Sequence, residues 1–269
     1  MEGEMENKKV RVGDIDICYR MIGEGFPLVM IMGLTANMDW WDPQLVEALS
    51  KKYRLILFDN RGAGRTQAPP GDFSIKQFAD DTAGLMDALN VERAHVLGVS
   101  MGGMIAQELV LNYPEKVEKL ILCCTFSGGD KTVYASREVL QKMTDLSGTL
   151  EERVKRFSSL LFPEDWLLEH PDYLDDFLRR YMIAPITDEN AARQFMATVT
   201  FNTCDRLPQI SCPTLVATGS KDVLIPPENS RIIAERIPGA KLVEFVGAGH
   251  GFINQCREEF LKTLFDFLG

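Results

Sequence analysis

The sequence predicts an α/β protein: a mostly parallel sheet flanked by helices, with one helical insertion between two strands. Three observations carry this reading. Short apolar runs alternate with amphipathic stretches, as expected of strands buried on both faces and joined by crossover helices. The alternation breaks once, from about residue 127 to 206, where the pattern is helical only. A lone serine, Ser100, stands between an apolar run and an amphipathic one, with Gly98 and Gly102 on either side. That is the composition a strand needs to turn sharply into a helix.

Composition narrows the class. The 269 residues suit one α/β domain carrying an insertion, and 45% apolar with 25% charged residues indicates a globular chain. The net charge of −10, with no basic stripe, argues against nucleic acid as a partner. The longest apolar runs, such as Phe26 to Met32, are too short to span a bilayer. The charged start, Met1 to Lys9, lacks the apolar core of a secretory leader. A cytoplasmic protein without a membrane partner is therefore expected. Cys18, Cys123, Cys124, Cys204, Cys212 and Cys256 show no C-x-x-C spacing and are expected to be reduced packing residues.

In order, Lys9 to Val12 and Ile15 to Tyr19 read as two short strands around Gly13-Asp14. Pro27 to Met32 reads as a buried strand. A helix opens at Asp42-Pro43 and runs to about Lys52, followed by the strand Tyr53 to Phe58. Ser74-Ile75-Lys76-Gln77 is a capping box opening a helix to about Asn90. His95 to Val99 is a strand, Met101 to Asn112 a helix stopped by Pro114, and Val117 to Cys124 a strand. In the insertion, Thr149-Leu150-Glu151-Glu152 is a second capping box, and Pro163, Pro171 and Pro185 divide the stretch into three or four short helices. Pro213 to Ala217 (strand), Pro227 to Ile237 (helix), Lys241 to Phe245 (strand) and Glu258 to Phe267 (helix) complete the chain.

Sites in such sheets lie at the carboxyl ends of the strands. Gly98-Val99-Ser100-Met101-Gly102 fits G-x-S-x-G, the nucleophile elbow. A serine hydroxyl needs a base, and histidine is the usual one. The chain has three histidines. His95 begins a strand about 16 Å from the serine, and His170 sits beside a turn in the insertion; both read as structural. His250, in Gly247-Ala248-Gly249-His250-Gly251, lies on a strand-end loop and is the candidate base. The base needs an orienting carboxylate. Asp222, in Thr218-Gly219-Ser220-Lys221-Asp222, follows another strand; Asp130 is the alternative acid. Acyl transfer also needs donors for the oxyanion, and the backbone N–H groups of Met101 and Leu34 are the candidates. No ligand cluster with metal spacing is visible, and no cofactor is expected.

On these residues the chain resembles the α/β-hydrolase superfamily over nearly its whole length. The matching pieces are Met32-Gly33-Leu34, the Asp59 to Thr66 stretch (similar to D-x-R-G-x-G-x-S/T), the Gly98 to Gly103 elbow, Gly219 to Asp222, and Gly249-His250-Gly251. Ser, Asp, His is also that family's chain order. Within the superfamily it is similar to the lidded esterase, enol-lactonase and haloperoxidase-like branch. One departure is Met32-Gly33 where the family often has His-Gly. The resemblance implies an α/β-hydrolase fold, with residues 1–126 and 207–269 as the core domain and 127–206 as a helical cap over the pocket. It implies a cap whose inward residues line an apolar site, with Met32, Phe162, Trp166 and Tyr181 as candidates. Arg61 is expected to anchor the loop beside the site. The expected activity is that of a carboxylesterase on small to medium apolar esters. The alternatives are an enol-lactonase-type lactone hydrolase using the same three residues, and a ligand receptor that kept them. An anionic lactone should call for a cation in the cap, for which Arg137, Arg153, Lys155, Arg179 and Arg180 are available.

Overall fold

The computed structural model describes residues 6–269. The first five residues of the charged start, on which the leader argument partly rests, lie outside that range. Eight strands form one sheet: β1 (Lys8–Val12), β2 (Ile15–Ile22), β3 (Phe26–Ile31), β4 (Tyr53–Phe58), β5 (Ala94–Val99), β6 (Val117–Cys123), β7 (Thr214–Gly219) and β8 (Lys241–Phe245). Their spatial order is β1-β2-β4-β3-β5-β6-β7-β8. β1 pairs with β2, and β2 with β4, in antiparallel fashion; every other pair is parallel. β2 runs three residues past the expected Tyr19 because Tyr19 to Ile22 keep pairing with Phe58 to Leu55. The polar Arg20 and exposed Met21 hid this extension, since one face of the strand's end meets solvent.

The apolar runs produce the buried strands directly. Successive residues point to opposite faces. Val29, Ile31 and Val96 enter one apolar core, and Leu28, Met30 and Leu97 the other. The first core is covered by α2 (Ile75–Ala88), α3 (Met101–Asn112) and α9 (Glu228–Arg236) through Phe78, Ile105 and Ile233. The second is covered by α1 (Pro43–Ser50) and α11 (Arg257–Leu268) through Leu45, Leu49, Phe260 and Leu264. The Asp42 carboxylate caps α1, accepting from the N–H groups of Gln44 and Leu45, and the Ser74 hydroxyl accepts from Gln77 N–H at 3.1 Å, one half of the expected capping box, with no return bond from the Gln77 side chain among the described residues.

Between β6 and β7 lie five helices: α4 (Arg137–Thr144), α5 (Leu150–Leu161), α6 (Glu164–Glu169), α7 (Pro171–Ile183) and α8 (Asp188–Val199). This exceeds the three or four that the prolines suggested. The break between α4 and α5 is made by a turn ending at Gly148, φ +85°, which no proline marks. The Thr149–Glu152 capping box closes reciprocally, with bonds of 3.2 and 2.7 Å. Among the described residues no helix is long and apolar enough to cross a membrane.

A tight crossing lies where α3 leaves β5. A Cβ on Gly102 would stand 2.1 Å from the Ile31 carbonyl oxygen, and one on Gly98 2.2 Å from that of Gly102. Gly102→Ala should therefore push α3 off the central strands. The expected cost is about 1–3 kcal/mol, read as a lower midpoint in urea unfolding.

Candidate active site

Ser100 sits between β5 and α3 with φ +58° and ψ −121°. That is a positive φ on a residue with a side chain, a strained conformation that its surroundings must enforce. Its N–H donates to the Cys123 carbonyl at 2.8 Å, and its own carbonyl accepts from Gly103 N–H at 2.9 Å. Backbone on both sides thus pins the turn while the side chain faces the cavity above the sheet. The absence of side chains at Gly98 and Gly102 permits the approach. Ser100 makes no capping bond to α3, so its hydroxyl is not spent on the helix.

His250 follows β8. Its Nδ1 lies 2.7 Å from Asp222 Oδ2, and both residues are buried. Asp222 follows β7, and its other oxygen, Oδ1, accepts from the N–H groups of Leu224 and Ile225, both at 2.9 Å. The carboxylate is held from behind and presents one oxygen to the ring. That selects the tautomer with the proton on Nδ1 and leaves Nε2 free to accept one. Burial of the ring would push its pKa down, but the Asp222 carboxylate overrides this and holds it well above the ordinary 6.5. The loop carrying His250 is pressed against the end of α5: Gly251 N–H donates to the Leu161 carbonyl at 2.8 Å, and a Cβ on Gly251 would meet the Phe162 ring at 2.2 Å.

The loop after β3 passes alongside the serine. A Cβ on Gly33 would stand 3.0 Å from Ser100 Cβ. Leu34 lines the same cavity as Met101, Ser100 and His250. Neither the Leu34 nor the Met101 N–H donates to another group among the described residues. Three amide side chains hold this region. Asn60 Nδ2 donates to the Met32 carbonyl at 3.0 Å. Gln194, from α8, accepts from Thr35 N–H at 2.9 Å and donates to the Arg61 carbonyl at 3.2 Å. Asn190 donates to the Gly62 carbonyl at 3.0 Å. Arg61 itself is locked by a two-pronged pair with Asp81, both bonds 2.7 Å, and by Asp14 at 2.8 Å. It anchors the loop from below, as expected.

The family model described as alpha/beta hydrolase fold matches residues 27–253. The chain belongs to the alpha/beta hydrolase family. A relative from Azorhizobium caulinodans, bearing the name "Putative carbamate hydrolase RutD", is 33% identical over 261 residues, covering 96% of both chains. An enol-lactonase from Burkholderia xenovorans LB400 superposes with a TM-score of 0.84 at 28% identity, over 97% of this chain and 99% of that one. A thermophilic esterase from Thermogutta terrifontis gives 0.81 at 26% identity, over 98% of each. This member of the family is a hydrolase, and the likeness to the esterase and the enol-lactonase extends over 97–98% of the chain.

The cavity above Ser100 has a volume of about 410 Å³, within the range of small-molecule sites. Its lower wall is Met32, Leu34, Met101, Met104 and Ile225, and its upper wall includes Leu140, Met143, Phe157, Leu161, Phe162, Phe177 and Phe195. No Lys, Arg, Asp or Glu lines it among the described residues. Met32 and Phe162 stand where the sequence put them. Trp166 and Tyr181 do not; both lie a layer behind the wall. Trp166 stacks between Phe162 (4.9 Å) and His170 (4.3 Å), and Tyr181 packs on Trp40 at 5.0 Å. Each supports a ring that reaches the cavity, which helical periodicity cannot distinguish from reaching it. Trp40 and Trp41, just before α1, line the cavity and had no motif to flag them.

The remaining candidates fall away from the site. His95 is buried between Phe26 (4.6 Å) and Tyr53 (6.0 Å), and burial pushes its pKa down to about 4. His170 is exposed, with Nδ1 2.9 Å from the Trp166 carbonyl. Asp130 is exposed and makes no bond to His250. The cap's cations are directed elsewhere: Arg153 to Asp188 (2.6 Å), Lys155 to Glu151 (2.9 Å), Arg179 to Asp176 (3.5 Å), and Arg180 to the carbonyls of Trp40 and Trp41 (3.1 and 3.3 Å). Arg137 is exposed at the start of α4.

Two outcomes follow. Gln194→Leu leaves the Thr35 N–H and the Arg61 carbonyl without their partner. It should cost about 1–3 kcal/mol of stability in chemical denaturation. The kcat/KM of the hydrolase should fall with protonation of His250, so the raised pKa places the acid limb above pH 6.5. Asp222→Asn should shift that limb downward in a pH–rate profile and lower kcat by about four orders of magnitude.

Proposed function

We propose that this chain is a carboxylic ester hydrolase that forms an acyl-enzyme on Ser100. The observation that carries the reading is that Ser100 and the Asp222-bonded His250 line one apolar cavity whose wall holds no Lys, Arg, Asp or Glu among the described residues. Ser100 Oγ attacks the ester carbonyl as His250 Nε2 takes its proton. Asp222 stabilises the imidazolium. The N–H groups of Met101 and Leu34 hold the tetrahedral oxyanion, each donor contributing on the order of 3 kcal/mol by analogy with other hydrolases. The imidazolium then gives its proton to the departing alkoxide. A water, deprotonated in turn by His250, attacks the acyl-enzyme, and the acid leaves with Ser100 restored. The helices of residues 127–206 act as the cap, and residues 1–126 and 207–269 as the core beneath.

The cavity wall favours the substrate class. A cavity of about 410 Å³ lined by Met, Leu and Phe suits a neutral ester with an apolar acyl chain of short to medium length. A bare carbamate would leave most of that wall without contact, so the activity named for the Azorhizobium relative is less well matched here. Lactones are ring esters and open by the same steps. The uncharged wall favours a neutral lactone over an anionic one, because each cap cation is either paired elsewhere or exposed.

The test is a panel of p-nitrophenyl esters of increasing acyl length beside neutral lactones, an anionic lactone and a carbamate. The expected order of kcat/KM is neutral medium-chain ester or neutral lactone first, with the anionic lactone and carbamate lowest. Ser100→Ala should lose at least about 10³-fold in kcat while keeping its fold by circular dichroism. Equal turnover by that variant would sink the mechanism, and a preference for the carbamate would sink the substrate class.

A further inference from the structure

One buried nucleophilic group beside the site has no part in the steps above. Cys124 follows β6 at the carboxyl edge of the sheet, between the strands that lead to Ser100 and to Asp222. Its N–H donates to the Ala217 carbonyl at 2.8 Å, extending the β6–β7 ladder by one residue. Its φ is +40°, a left-handed conformation that costs energy on a residue with a side chain. The consequence is a side chain aimed at the site. Cys124 Sγ, a carboxylate oxygen of Asp222 and a ring nitrogen of His250 all lie within 4.8 Å of one another. Cys124 is fully buried and does not line the substrate cavity.

We propose that Cys124 is a positioning residue for His250: its neutral thiol packs against the His250–Asp222 pair, fixes the ring, and tunes how tightly the ring holds its proton. The inference rests on the hydrolytic reading of Ser100, His250 and Asp222.

The chemistry fits a thiol better than its neighbours in size. Burial pushes the Cys124 thiol up, and although the neighbouring His250 pulls the other way the net shift is upward, with the Asp222 carboxylate adding to it, so the group stays protonated beside the ring. A protonated thiol is a weak donor and a weak acceptor with a polarisable sulfur. It can lie against an imidazolium and a carboxylate without competing for the 2.7 Å bond between them. A serine hydroxyl would compete as a stronger donor, and an alanine would leave the ring unsupported on that side. Full burial also bars the thiol from acting as a second nucleophile toward substrate. Asp222 and Cys124 are the titratable groups acting on the ring, and no charged side chain lines the cavity on its other side.

The test compares Cys124→Ala and Cys124→Ser with the unaltered protein on a p-nitrophenyl ester. Because Cys124 lies outside the cavity, KM should stay within about twofold while kcat falls roughly threefold or more. The acid limb of the pH–rate profile should move by about half a pH unit or more. The proton NMR resonance of His250 Nδ1–H, observed without substrate, should shift in both variants. If Cys124→Ala does not fold, Cys124→Ser carries the same readouts. Unchanged kcat, pH limb and Nδ1–H resonance in the folded variants would overturn the proposal and leave Cys124 as packing. Turnover that survives Ser100→Ala would instead overturn the hydrolytic reading itself, so the two failures are distinguishable.

Discussion

The backbone turn at Ser100 is the constraint on which the rest of the site depends. A residue with a side chain is held at φ +58°, and the holding is done by backbone: the Cys123 carbonyl on one side and the first turn of α3 on the other. For α3 to start there it must touch the end of β3, and the distance from the Gly102 position to the Ile31 carbonyl leaves no room for a methyl group. Close packing of α3, β3 and β5 therefore sets the serine's height above the sheet. The same contact brings the loop after β3 alongside the hydroxyl. The placement of Ser100 and that of the loop after β3 are two results of one packing event.

The bonded pair of His250 and Asp222 arrives by a different route. His250 and Asp222 belong to the far end of the sheet, beyond β6, and no local sequence joins them to the elbow. The loop of His250 is clamped instead by the insertion, through the Leu161 carbonyl and the Phe162 ring. The insertion also grips the other side of the site through Gln194 and Asn190. An insertion that bonds to both the loop after β3 and the loop of His250 adds to the site's rigidity as well as lining its cavity. Substitutions in α5 or α8 can then alter geometry at Ser100 without touching substrate.

Electrostatics divides the molecule into an acidic exterior and an uncharged cavity. The chain carries −10 overall, yet its cap cations are bound to neighbouring carboxylates, to backbone carbonyls or face solvent. At the site the strong internal field is that of Asp222 on His250, where little solvent screens it. This places the stabilising charge on the Nδ1 side of the His250 ring, opposite Nε2. It gives no anchoring charge to the substrate, whose recognition is left to shape and apolar contact.

Ser100, Asp222 and His250 were legible in the sequence because each follows a recognisable apolar run, and because three histidines left few choices. The sheet and its helices were legible for the same reason, since alternating burial writes itself as periodicity. The limits were physical too. Periodicity names the apolar face of a cap helix but not which of two apolar neighbours reaches the cavity, so Phe162 and Trp166 looked equivalent until one stacked behind the other. A glycine turn separated α4 from α5 where the prolines gave no sign. Cys124 read as an ordinary buried cysteine, because its distance to His250 depends on the meeting of two strand ends about 125 residues apart. The sequence by itself determined the sheet, the sharp turn at Ser100 and the chain order of the candidate groups, all of which are local patterns of burial and turn chemistry. Tertiary structure alone decided the cavity's wall, its lack of charge and the neighbours of the base, because those depend on which distant surfaces pack together.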